Sequence, residues 1–134
     1  MKAIKNYVSV IFFITFILQS CNFSDSTEKL GNDYFYRNEG SEIKDILCNK
    51  ANGGEIPATV IAYDFDDDFI IAKQKPKLPQ DPLYDKDYKY NTGDKDFYYW
   101  LIVKNVNLIL GPFNLDEFNI QRSKQKVPNK LVFK

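Results

Sequence analysis

Two apolar runs on either side of three consecutive aspartates constrain this chain more than any other feature. Ala58–Phe65 alternates with a period of two, putting Ile61, Tyr63 and Phe65 on one face and Ala58, Val60 and Ala62 on the other. Asp66-Asp67-Asp68 interrupts the pattern and Phe69-Ile70-Ile71-Ala72 resumes it, which reads as a β-hairpin with an acidic tip. Strands that are apolar on both faces need cover on both, so this hairpin is expected at the centre of a sheet.

The same style of reading extends in both directions. Asp33–Arg37 predicts a strand, Asn38-Glu39-Gly40-Ser41 a turn, and Ile43–Cys48 a second strand, although Ile43, Ile46 and Leu47 would also share one helical face. Asn52-Gly53-Gly54 marks a further turn. Phe97–Val103 and Val106–Leu110 predict a second hairpin that turns at Asn105, carries the only tryptophan, Trp100, and ends at Gly111-Pro112. Asn114 then suits a helix N-cap, with Glu117 completing a capping box and Phe113 able to staple onto Phe118. The helix is expected from Leu115 to Lys126, turning Leu115, Phe118, Ile120 and the stem of Arg122 inward, until Val127-Pro128 stops it. Leu131–Phe133 is expected to dock on the sheet. The fold class is α+β: a mainly antiparallel sheet of about five to six strands in meander-like hairpins, with one C-terminal helix packed on it.

Residues 76–96 break the pattern with Pro76, Pro79 and Pro82, alternating Asp and Lys, and Gly93. A structureless stretch this long is uncommon in a compact domain, which makes it the first place to look for a binding surface. Tyr84, Tyr88 and Tyr90 lie within it. They suit either stacking platforms or side chains folded back to cover the sheet, the second being the favoured reading.

The first twenty residues have a different character. Lys2 and Lys5 precede an apolar run from Tyr7 to Leu18, 12 residues long, which is signal-peptide length and short of the roughly 20 needed to span a bilayer. The run ends in Leu18-Gln19-Ser20-Cys21, which resembles a lipobox, the bulky Gln19 being its departure from the pattern. That resemblance implies cleavage before Cys21 and its conversion to a diacylglyceryl, palmitate-bearing cysteine. An uncleaved anchor or an unlipidated secreted form are the alternatives. Two or more acyl chains hold a protein stably on a membrane, so the expected address is the cell envelope, first the outer membrane, facing periplasm or cell surface. Residues 21–32, polar apart from Phe23 and Leu30, read as a flexible tether, and 33–134 as a single domain. Asp25 and Glu28 resemble the acidic surface-export signals of Bacteroidota lipoproteins, although an ordinary solvated linker is the favoured reading.

Composition removes several function classes. The 18 basic and 18 acidic residues are interspersed and the leader takes two lysines away, so no basic stripe exists for nucleic acid. There is no histidine, and with Cys21 committed to lipid, Cys48 has no partner for a disulfide or a zinc site. Cys48 itself reads as a small buried apolar residue. Asp64, Asp66 and Asp68 have the spacing that opens a calcium loop, but Phe69 and Lys75 stand where such a loop needs Gly and Glu, so solvated aspartates at a hairpin tip are the favoured reading. No catalytic residue, cofactor or resident metal is expected, and the chain is not expected to be an enzyme.

The strings IPATVIAYDFDDDFIIAKQKPK, DFYYWLIVK and GPFNLDEF resemble a family of small Bacteroidota lipoproteins known only as a domain of unknown function. The resemblance implies secretion, a lipid anchor and a compact, mainly antiparallel domain, and brings no site residues with it. The functional expectation is a membrane-anchored, non-catalytic interaction module, one version being an immunity-like protein that blocks a toxin. Its partner is an unidentified protein or a glycan. The alternatives are a carbohydrate-binding accessory lipoprotein stacking sugars on aromatics from Tyr84, Tyr88, Tyr90, Tyr98 and Trp100, and an envelope-structural protein.

Overall fold

The computed structural model describes residues 25–134, so the predicted signal peptide and Cys21 lie outside the described residues. Among the described residues no helix is long and apolar enough to cross a membrane. The fold is α+β, as expected, with seven antiparallel strands divided over two sheets. β1 (Ser26–Gly31), β2 (Tyr34–Asn38) and β3 (Lys44–Cys48) form one sheet in chain order. β4 (Val60–Phe65), β5 (Phe69–Gln74), β6 (Tyr98–Val103) and β7 (Leu108–Phe113) form the other, followed by helix α1 (Leu115–Lys124).

Alternation along β5 and β6 explains why the molecule has layers. Ile70, Ala72, Trp100 and Ile102 point to one side of the four-stranded sheet and pack with Leu30, Tyr34, Ile46 and Ile56 of the smaller sheet and its exit. Ile71 and Leu101 point to the other side, where Phe118, Val127 and Leu131 cover them. A strand whose successive side chains are all apolar is stable only between two such covers.

Several expectations are corrected by this architecture. The segment read as a flexible tether is strand β1 from Ser26 onward, because Leu30 is wholly buried and each residue of β1 has a partner on β2 except at one irregularity beside Gly31. A single apolar position in a polar run carries too little pattern to reveal that. The acidic hairpin is not central as a unit: β5 is, but β4 is the first strand of its sheet, and its outer edge is met by the C-terminus through paired backbone bonds between Tyr63 and Lys134.

Gly111-Pro112 does not end the second hairpin but lies within β7, which spans Leu108–Phe113 where Val106–Leu110 was expected. Proline is tolerated there because β7 is an edge strand. Gly111 is required at φ +134°, since a Cβ would lie 2.8 Å from the indole of Trp100 and 2.9 Å from the Tyr99 carbonyl. The turn expected at Asn105 is a 3-10 turn, Lys104–Val106, closed by Asn107 in the left-handed region.

The helix begins as the sequence predicts, with the Asn114 side chain accepting from the Glu117 amide at 2.9 Å and the Glu117 carboxylate accepting from the Asn114 amide at 3.0 Å. It ends two residues early, and only Phe118 on it is buried. Leu115 is half exposed and Ile120 is 66 % exposed, because the face of the sheet on the helix side is covered by Phe118 together with Val127 and Leu131 from the segment after the helix. Arg122 does turn inward, donating to the carbonyls of Pro128 and Leu131 and so tying the C-terminal segment down. Leu131 and Phe133 dock as expected, Phe133 packing on Tyr99 and Phe118.

Candidate functional site

The aromatic residues singled out as a binding surface are brought together, but inward. Trp100 has no exposed surface, and its indole N–H donates to Gln74 Oε1 at 2.7 Å. The carboxamide of Gln74, also buried, donates to the Pro57 carbonyl and to the Tyr90 hydroxyl. Tyr88 stands edge-on to Trp100 with ring centroids 4.8 Å apart, and Tyr90 does the same to Tyr98. Burial raises the pKa of Tyr88, and that of Tyr90 to about 12. Tyr88 and Tyr90 are half-buried against the core, which is the favoured reading of side chains folded back onto the sheet, and not the alternative of an exposed stacking platform. The reason is coverage: three short strands do not reach across the whole Trp100 face, and residues 76–96 complete it.

Tyr84 fastens the middle of that loop. Its hydroxyl donates to Asp45 Oδ2 at 2.6 Å and accepts from the Ala58 amide at 3.0 Å. Asp45 is fully buried and is held by Arg37 through two bonds, 3.0 and 2.7 Å. Burial and the neighbouring carboxylate hold the Tyr84 hydroxyl well above its ordinary pKa, while the same carboxylate raises that of Arg37. The long loop is thus a fixed surface element without regular secondary structure.

The acidic triad is dispersed. Asp64 accepts from the Val132 amide at 3.0 Å and from Lys134 Nζ at 3.2 Å; burial works against its charge, but these donors outweigh it and hold the carboxyl below its usual value. Asp66 closes the hairpin by accepting from the Asp68 and Phe69 amides. Among the described residues no group of three metal-ligating side chains converges.

The hairpin tip has another task that its sequence does not announce. Lys104 is buried behind it, donating to the Leu30 carbonyl at 2.6 Å and to the Asp66 carbonyl. Burial lowers its pKa, and the charges of Asp66, Asp67 and Asp68 oppose that shift. The three acids therefore favour the charged form of the lysine that ties β1 to the larger sheet.

A further feature escaped sequence reasoning. Asn52–Glu55, Asp85–Tyr88 and Asn107–Ile109 enclose a cleft of about 330 Å³. Gly53 and Gly54 pass so close to Cys48 and Ile109 that neither has room for a side chain. The Glu55 carboxylate accepts from the Asp85 amide, bridging two walls, and burial raises its pKa. Asn107 Oδ1 is buried with no hydrogen-bond partner among the described residues. The cleft is rich in acceptors, with Lys86 as a cation on its wall, and suits polar or positively charged groups. Asn52-Gly53-Gly54 was its only legible signal, because the other walls come from distant parts of the chain.

Cys48 is a free thiol, partly buried against the core beside Tyr34. Two antiparallel sheets facing each other, one backed by a helix and bridged by a fixed polar loop, define a compact α+β domain with an acceptor-lined cleft. The chain belongs to the family described as Protein of unknown function (DUF3997), which matches residues 31–134. No curated protein and no solved structure matches it.

Proposed function

We propose that this protein is a lipid-anchored, non-catalytic interaction module of the cell envelope, attached through Cys21 after removal of residues 1–20 and facing away from the cytoplasm. Its partner is a protein, bound at the cleft between Asn52–Glu55, Asp85–Tyr88 and Asn107–Ile109. The observation that carries the binding half is the acceptor-lined cleft itself, whose Glu55 carboxylate is bridged to the Asp85 amide and whose loop wall is fixed by Tyr84 and Tyr88. Pre-ordered loops bind without the ordering cost that a mobile loop adds. The sugar-binding alternative is weakened because Trp100 and Tyr98 are buried and Tyr84, Tyr88 and Tyr90 are engaged internally.

Both halves are tested in the producing cell. Mass spectrometry of the mature protein should find an acylated Cys21 as its first residue, and Cys21→Ser should move the protein out of the membrane fraction. A photo-cross-linking residue at Asn52 or Asp85 should give one discrete adduct, absent when the probe is at Ile120 on the helix. An unmodified Cys21 defeats the anchor; equal, diffuse labelling from all three positions defeats the cleft.

A further inference from the structure

Strand β1 leaves very little chain between the proposed anchor and the folded body. From Cys21 to Ser26 there are five peptide steps, which span at most about 18 Å even fully extended. β1 cannot peel away to lengthen this leash without losing its pairing to β2, the burial of Leu30 and the Lys104 bond to the Leu30 carbonyl. The end of the molecule where β1 starts must therefore lie at the membrane surface if Cys21 carries lipid.

The register identifies that end. Ser26 pairs with Asn38, and Asn38 with Lys44, so the turn between β2 and β3 shares it. Ile43, at the end of that turn, is 38 % exposed and lines one shallow cleft with Arg37, Lys77 and Leu83. Leu83 is 88 % exposed, the most exposed of the large apolar residues, at a point where the neighbouring Tyr84 is bolted to Asp45. A leucine held out on a fixed loop is costly in water and favourable in a headgroup layer.

We infer that Leu83 and Ile43 form a second membrane contact, inserting into the lipid interface of the bilayer that holds the Cys21 anchor. This rests on lipidation of Cys21. Glu39 and Asp81 share the cleft with Arg37 and Lys77, and Glu39 is paired to Arg37 at 3.3 Å, so the patch has no strong net charge. Its attraction is apolar and owes little to anionic lipid. A contact this small suffices because the anchor already confines the domain at high local concentration. The Asn52–Gly54 wall of the other cleft lies toward the opposite end of the small sheet, beyond Cys48.

The test uses the full-length protein processed in cells, purified from membranes and returned to phosphatidylcholine vesicles. In a Cys48→Ala background, an environment-sensitive fluorophore is attached at Leu83→Cys, at Ile43→Cys, and at Ile120→Cys as the control. The labels at 83 and 43 should shift to the blue and be quenched by nitroxides placed near the lipid headgroups, equally with and without anionic lipid, while the label at 120 stays unchanged. If the protein is acylated and floats with the vesicles, yet the label at 83 behaves like that at 120, the second contact is overturned and the anchor stands. If no acyl group is found on Cys21, both readings fall.

Discussion

The Trp100 indole donates to the Gln74 carboxamide at 2.7 Å, and that one buried amide also serves Pro57 and Tyr90. Gln74 thus joins the central strand, the entry to β4 and the long loop through a network with no spare member. Gln74→Leu leaves the indole N–H, a carbonyl and a phenol without that partner. We expect a loss of about 3 kcal/mol, read by denaturant unfolding followed on tryptophan fluorescence. A loss below about 0.5 kcal/mol would show that water replaces the amide at little cost.

Lys104 does for β1 what Gln74 does for the loop. Lys104→Met keeps the stem's bulk but removes the donor to Leu30 and Asp66, so stability should fall by about 1 to 3 kcal/mol. Amide exchange should accelerate selectively in Ser26–Gly31. Uniform acceleration across both sheets, with β1 unaffected relative to β5, would contradict the clamp.

Tyr84 should control the loop without controlling the fold. In Tyr84→Phe, Asp45 keeps Arg37 and the core is untouched, but the loop loses its bond to Asp45 and to the Ala58 amide. Limited proteolysis between Pro76 and Asp96 should quicken several-fold while the unfolding midpoint moves little.

Alkaline pH should destabilise the domain. Tyr34, Tyr63, Tyr84 and Tyr90 all have raised pKa values because burial disfavours the phenolate, Tyr34 and Tyr90 reaching about 12. Above pH about 10 the unfolded chain ionises these groups while the folded chain still holds their protons, so stability falls as pH rises. Their contribution is fully present below that pH. Unfolding midpoints measured from pH 8 to 11.5 should be level and then drop, less steeply in Tyr84→Phe; a flat profile throughout would refute the linkage.

Gly111→Ala forces a Cβ against Trp100 and the Tyr99 carbonyl at a backbone angle that alanine avoids. A cost of about 2 to 3 kcal/mol is expected, measurable as a lowered thermal midpoint.

What could be read in advance follows the range of the physics. The hairpin flanking Asp66–Asp68 and the capping box of Asn114 and Glu117 depend on residues a few positions apart, and both formed where expected. The candidate site did not yield in this way. Tyr84 and Asp45 are 39 residues apart, and Asn107 reaches the Gly53-Gly54 turn only through the stacking of two sheets. A tyrosine in a polar loop looks the same in sequence whether it faces a ligand or a carboxylate beneath it.

Local pattern by itself determined strands β2 to β6, the turns between them and the helix start, because period and turn residues act over a few positions. Tertiary structure alone decided that Ser26–Gly31 is a strand, that Lys104 is buried behind the acids and that the loop's tyrosines face inward. Each of those outcomes depends on which distant surface was left uncovered, and coverage is a property of the assembled layers.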